Sequence, residues 1–95
     1  MHTETIYTPI VDPSIGFDPE TGATNELRFS AFPSEKSEVL IRIRGTDAVR
    51  AAAQAIGART VEDFARAYVR LDLDEPGLVK RSTVLTAEAV RMILD

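Results

Sequence analysis

Three arginines are the side chains here best suited to hold a charged ligand. Arg28, Arg42 and Arg44 fall within two segments that alternate apolar and polar residues, Leu27–Ala31 and Val39–Arg44. Alternation of period two is the mark of a half-buried strand. If Leu27, Phe29 and Ala31 share a face with Val39, Ile41 and Ile43, odd positions must pair with odd. One such register sets Phe29 opposite Ile41 and Glu26 opposite Arg44. The other face then carries all three arginines, with Ser30 and Leu40. Guanidinium groups so placed could grip phosphates or a carboxylate-rich partner. They could equally form a solvated face, their stems lying over apolar surface and Glu26 paired with Arg44. No aromatic residue interleaves them, as stacking on single-stranded nucleic acid would require.

The remaining chemistry is sparse. The chain has no cysteine and no tryptophan, and its single histidine is His2, at a terminus expected to fray. Self-contained catalysis usually draws on His, Cys or clustered carboxylates for proton transfer and nucleophilic attack, so no catalytic residue is assigned. Without thiols there is neither a disulfide framework nor a thiolate metal site. The acidic groups Asp72, Asp74, Glu75 and Asp18, Glu20 match no calcium-loop spacing and read as solvated turns. No metal or cofactor is expected. Gly45-Thr46-Asp47 lies between basic Arg44 and Arg50, but it lacks a phosphate-loop fingerprint and reads as a capped turn. The two helices expected around Gly57-Ala58-Arg59 are spaced like a helix-turn-helix. However, Glu62 and Asp63 would bring negative charge to the DNA.

These residues need a body to position them. Ninety-five residues, 44% apolar and 27% charged, suit one soluble domain with a marginal core, to which a dimer contact would add burial. No apolar run approaches the roughly 18 residues of a membrane span. Met1-His2-Thr3-Glu4 does not open a secretory signal. A cytoplasmic location is the default expectation.

The net charge of −4 is concentrated in residues 1–37, where six acidic side chains face only Arg28 and Lys36. Four of the five prolines, Pro9, Pro13, Pro19 and Pro33, lie there too. This composition predicts an acidic, proline-rich arm or loop over residues 1–26, attached to a single small domain over 27–95. Ile6–Val11 could be a strand within it, on an edge because Pro9 lacks a ladder donor. Ile15 and Phe17 are the only large apolar residues of the turn-rich stretch 12–25. They are the candidate anchors to the body or to a partner.

Downstream, Thr46 or Asp47 would cap a helix running to Ile56, with Gly57 ending it. The spacing of Val61, Phe64, Ala65, Tyr68 and Val69 predicts a second helix from Thr60. Leu78 to Leu85 could be a strand after a Glu75-Pro76-Gly77 turn, and Thr86 would cap a last helix over Ala87–Leu94. The expected fold is α+β: a small two- or three-stranded antiparallel sheet, built on the hairpin 27–44 and packed with three helices. The expected core is Leu27, Phe29, Ile41, Ile43, Val49, Ala52, Ile56, Val61, Phe64, Tyr68, Leu71, Val84, Val90 and Ile93.

One stretch resembles a known family. Val39-Leu40-Ile41-Arg42-Ile43-Arg44, Gly45-Thr46-Asp47 and the helix Ala48–Ile56 look like the opening of the effector (coupling) proteins of soluble diiron monooxygenases. Val61-Glu62-Asp63 followed by Ala67-Tyr68-Val69-Arg70 resembles that family's entry into its next strand. Glu75-Pro76-Gly77 to Leu85 resembles the following hairpin arm. The resemblance covers residues 39–94 at most. It departs where residues 61–70 show helical spacing, where the link after the first helix is short, and where the family's final strands have no counterpart. The resemblance implies a protein that binds a hydroxylase and tunes access to its active site without doing chemistry itself.

Three classes of function therefore stand. The first is a non-enzymatic regulatory or accessory protein acting by contact with another protein, through Ile15, Phe17, Arg28, Arg42 and Arg44. A coupling protein is one form of it, and a homodimer is its expected assembly. The second is a nucleic-acid module using the arginine face, which the acidic balance opposes. The third is a small enzyme that combines carboxylates and arginines across a dimer.

Overall fold

In the computed structural model, which describes residues 4–74 and 78–94, strand outweighs helix, 51% to 26% of the described residues. The strands are β1 (Glu4–Pro9), β2 (Val11–Phe17), β3 (Thr24–Ser34) and β4 (Ser37–Arg44). Helices α1 (Thr46–Ile56) and α2 (Val61–Phe64) follow, then β5 (Tyr68–Leu73), β6 (Val79–Leu85) and helix α3 (Ala87–Leu94). His2, the turn expected at Glu75-Pro76-Gly77 and Asp95 lie outside the described residues.

Two antiparallel three-stranded sheets result, in the orders β1-β5-β6 and β2-β3-β4. This corrects the expectation of one small sheet backed by three helices. Two segments account for the difference. The first is residues 4–17, expected as an arm: β1 pairs with β5 and β2 with β3, so this segment supplies an edge strand to each sheet. Between them Ile10 is buried in the core and its N–H donates to the Ala67 carbonyl at 3.1 Å. Pro9 is tolerated because an edge strand can spare a donor.

The second is residues 65–70, expected to continue a helix. Helix α2 stops at Phe64, and from Tyr68 the alternation Val69, Leu71, Leu73 takes over, all three buried. Phe64 and Val69 fit both periods. Pairing β5 between β1 and β6 buries three apolar side chains and satisfies both backbone edges, which outweighs local helical spacing.

The hairpin follows its alternation. Phe29 pairs with Ile41, Leu27 with Ile43 and Glu26 with Arg44. Its inner face meets that of the other sheet around Leu27, Phe29, Ala31, Val69, Leu71 and Val84. Helix α1 contacts β3, β4 and β6, so it bridges the two sheets, with Val49 buried. Gly45, at φ 105°, turns the chain from β4 into α1, and its N–H donates to Asn25 O at 2.8 Å. The cap is thus Gly45, not Thr46 or Asp47, and no side chain caps the helix. Gly57 ends α1 in the left-handed region, as its position suggested. Thr86 Oγ1 accepts the Ala89 N–H at 3.0 Å, capping α3.

Of the expected core, Ile93 is 54% exposed, and Ile43, Ala52, Ile56, Val61 and Tyr68 are only partly buried. Ile10, Ala31, Ala67, Val69 and Leu73 take their place. No described helix is long and apolar enough to cross a membrane.

Candidate functional site: an apolar groove with an arginine rim

Strand β2 lies off its neighbour's register in a way that decides which side chains face the helices. Val11 pairs with Ser30 but Ser14 pairs with Arg28, so β2 holds one extra residue in the Asp12-Pro13 bulge. Asp12 has φ 51°, a left-handed conformation that few residues besides Gly, Asn and Asp adopt readily. Side chains alternate along a strand, so the extra residue reverses which positions point inward. Val11 pairs with Ser30 on the outer face, yet Ile15 pairs with Leu27 on the inner one. A second slip, with Gly16 on Glu26 and Phe17 on Thr24, lets β3 recover the residue.

Ile15 and Phe17 thereby come to line a groove of about 910 Å³ between β2, α1 and α2. The first helix contributes Val49, Arg50 and Ala53, and the linker and second helix contribute Arg59, Val61 and Phe64. Phe17 is 62% exposed at the mouth, whereas Phe64 is buried at the base. The size lies within the roughly 300–1,000 Å³ of ligand clefts. Among the described residues, Arg50 and Arg59 are the only charged ones that line it, and no carboxylate, histidine or cysteine does. Arg50 Nη1 lies 3.9 Å from the Asp47 carboxylate, which is fully exposed. Arg59 has no ion pair among the described residues.

The Arg59 wall is fixed from below. Asp63 Oδ2 accepts the backbone N–H of Arg59 at 2.7 Å and that of Thr60 at 3.0 Å. With Thr60 this forms a capping box that starts α2. The two backbone donors, first Arg59 and then Thr60, hold the Asp63 carboxyl below the ordinary aspartate range.

The sequence candidates divide between two faces. Ile15 and Phe17 meet at the groove. Arg28, Arg42 and Arg44 lie on the outer face of β2-β3-β4, where Arg28 is directly opposite Arg42. Glu26 stands between two of them, 3.7 Å from Arg28 Nε and 3.6 Å from Arg44 Nε. Arg28 Nε is buried without a hydrogen bond, which fits a guanidinium stem laid over the sheet. Of these three arginines, only Arg42 has no ion pair among the described residues. Sequence reasoning noted Arg50 only as a neighbour of the Gly45-Thr46-Asp47 turn, and it missed Arg59. The one available signal for Arg59 was its place just after the Gly57 cap, where a linker residue projects beside two helices.

No family, no curated protein and no solved structure compared with this chain matches it.

Proposed function

We propose that this chain is a non-enzymatic accessory or regulatory protein of the cytoplasm that works by docking another protein in the groove beside β2. The observation that carries this reading is the character of the lining. A 910 Å³ apolar groove bears two arginines and no group able to shuttle a proton at neutral pH. Such a surface suits binding: Ile15, Phe17, Val61 and Phe64 would contact an apolar segment, and Arg50 and Arg59 would select acidic flanks. The reading needs no metal or cofactor.

A photo-crosslinking side chain placed at position 17 tests it in native lysate. The expected result is one dominant cross-linked protein, lost when Ala53→Arg fills the groove. A cross-linking pattern unchanged by Ala53→Arg would overturn the reading.

One feature favours the coupling-protein form. The segment Ala67-Tyr68-Val69-Arg70 enters strand β5, the conformation the resemblance implied. The order β4, α1, β5, β6 over residues 37–85, interrupted only by the four-residue helix α2, also suits it. In that form the partner is a diiron hydroxylase.

A further inference from the structure

Each three-stranded sheet leaves two strands without an outer neighbour: β1 and β6 in one, β2 and β4 in the other. Such an edge presents a row of free N–H and C=O groups, which folded chains usually blunt with a proline or a bulge. Three of the four edges carry that protection. β1 ends in Pro9. β2 contains Pro13 and the bulge at Asp12. β6 holds an extra residue at Lys80, since Asp72 pairs with Arg81 but Leu73 with Val79. β4 has neither device. It contains no proline, and where its pairing with β3 slips, the extra residue lies in β3. Helix α1 touches β3 and β6 as well as β4, so it lies across the inner face and does not run along this edge.

The side chains of β4 complement a second β4. Its outer face carries Glu38, Leu40, Arg42 and Arg44, all exposed, with Leu40 at 57%. Arg44 is held by Glu26, whereas Glu38 and Arg42 have no ion pair among the described residues. Two antiparallel copies must keep inner face with inner face, so odd positions pair with odd and even with even. Centring the pair on Leu40 sets Leu40 against its own copy, Val39 against Ile41 and Glu38 against Arg42. Two-fold symmetry forms the ion pair twice. Centring it on Ile41 faces Glu38 with Arg44, which Glu26 already holds, and leaves Leu40 against Arg42. Centring it on Arg42 opposes two like charges, which is destabilising.

We propose that two copies of this chain join edge to edge through β4, centred on Leu40, so that their β2-β3-β4 sheets become one continuous antiparallel sheet. Backbone hydrogen bonds supply the affinity, as in other strand additions. The two Glu38–Arg42 contacts fix the register, and the two Leu40 side chains shield each other from water. β2 is the opposite edge of the same sheet, so the groove beside it stays open in both copies. The dimer then offers two grooves, and a partner with two docking segments would bind it with avidity. The dimer does not depend on what the groove holds.

The test is sedimentation of the full chain with two charge-reversed variants at exposed positions, Glu38→Arg and Arg42→Glu. Circular dichroism checks that both retain the fold. The wild type is expected to dimerise as concentration rises over about 1–200 µM. Each variant alone sets like charges together at both contacts and should dimerise at least about tenfold more weakly. Mixed in equal amounts, the two variants restore opposite charges at both contacts, so a heterodimer of near wild-type affinity should form. A wild type that stays monomeric, a dimer indifferent to either variant, or a mixture no tighter than its components overturns the proposal. So does a dimer weakened by Glu38→Arg but not by Arg42→Glu, which is the outcome expected of centring on Ile41.

Discussion

Asp63 Oδ2 accepts the backbone N–H of Arg59 at 2.7 Å, and this contact ties the shortest helix to the groove wall. The link from Gly57 to Thr60 has no apolar anchor larger than Ala58. Its conformation therefore depends on where its amides find acceptors. One carboxylate supplies two.

The Asp63 pKa is lower in the folded chain than in the unfolded one, so its ionised form stabilises the fold. That contribution is complete above the unfolded aspartate pKa of about 3.9. It disappears as pH falls through the lower folded value, since protonation then favours neither state. Asp63→Asn removes the charge at similar size. Urea denaturation should show the variant less stable than wild type at pH 7, with the gap closing under acid. Amide exchange at Arg59 and Thr60 should quicken in the variant at neutral pH. A gap that is constant from pH 7 to pH 2 would refute the assignment.

The Asp12 bulge gives a prediction in which two substitutions move in opposite directions. At φ 51° a β-branched residue meets its own carbonyl, a cost of about 1–2 kcal/mol, whereas glycine is free of it. Asp12→Val should destabilise by about that amount, and Asp12→Gly should be neutral or slightly stabilising. Chemical denaturation midpoints decide it. Equal losses for both would mean that the side chain matters and the backbone does not.

Burial separates two leucine-sized residues that the sequence treats alike. Leu71 is fully buried and Ile93 is 54% exposed. Leu71→Ala should cost about 2–5 kcal/mol of stability, through lost transfer energy and the cavity left behind. Ile93→Ala, measured well below any dimerisation range, should stay within about 0.5 kcal/mol. Comparable losses would place α3 in the core.

The hairpin was legible because its alternation is unbroken: from Leu27 to Ala31 and from Ile41 to Arg44 every second side chain is apolar, so odd positions must pair with odd, as they do. The strand β2 was not. Asp12, Pro13 and Gly16 are turn residues by type, and two bulges destroy the alternation that would have disclosed a strand. In β5 the failure is ambiguity, because Phe64, Tyr68 and Val69 fit a helix as well as they fit a strand. Tertiary pairing decides between them. Ile15 and Phe17 could be singled out as large apolar residues in a polar stretch. Their neighbours Val49, Val61 and Phe64 could not, because only the fold brings three distant elements to one groove.

Nucleic acid should bind weakly at physiological salt. Glu26 sits between Arg28 and Arg44, which leaves Arg42 as the one arginine of that face without an ion pair among the described residues, on a chain of net charge −4. A polyanion surface needs several free cations and loses affinity steeply as salt rises. Fluorescence anisotropy with labelled duplex and single strands at about 150 mM salt should show no saturation below micromolar protein. Tight binding that vanishes in an Arg42→Ala/Arg44→Ala variant would put the nucleic-acid reading first.

Residues 4–17 are part of the fold, and their removal should abolish it. The strand β1 pairs along its whole length with β5, from Glu4 opposite Leu73 to Pro9 opposite Tyr68. Without it β5 becomes an edge and loses the backbone partners of a buried strand. Ile10, buried at the junction, closes the core where the sheets meet, and Thr8 Oγ1 accepts the Phe32 N–H at 3.4 Å across that junction. A 95-residue chain has little stability to spare, on the order of 5–15 kcal/mol in all. Losing two of six strands exceeds that reserve. Deletion of residues 1–17 should therefore give a chain without a cooperative thermal transition. Ile10→Ala supplies the graded counterpart: it should keep the fold and lose about 2–5 kcal/mol. A deleted chain that still melts cooperatively would return these residues to the status of an arm, with a binding role separable from folding.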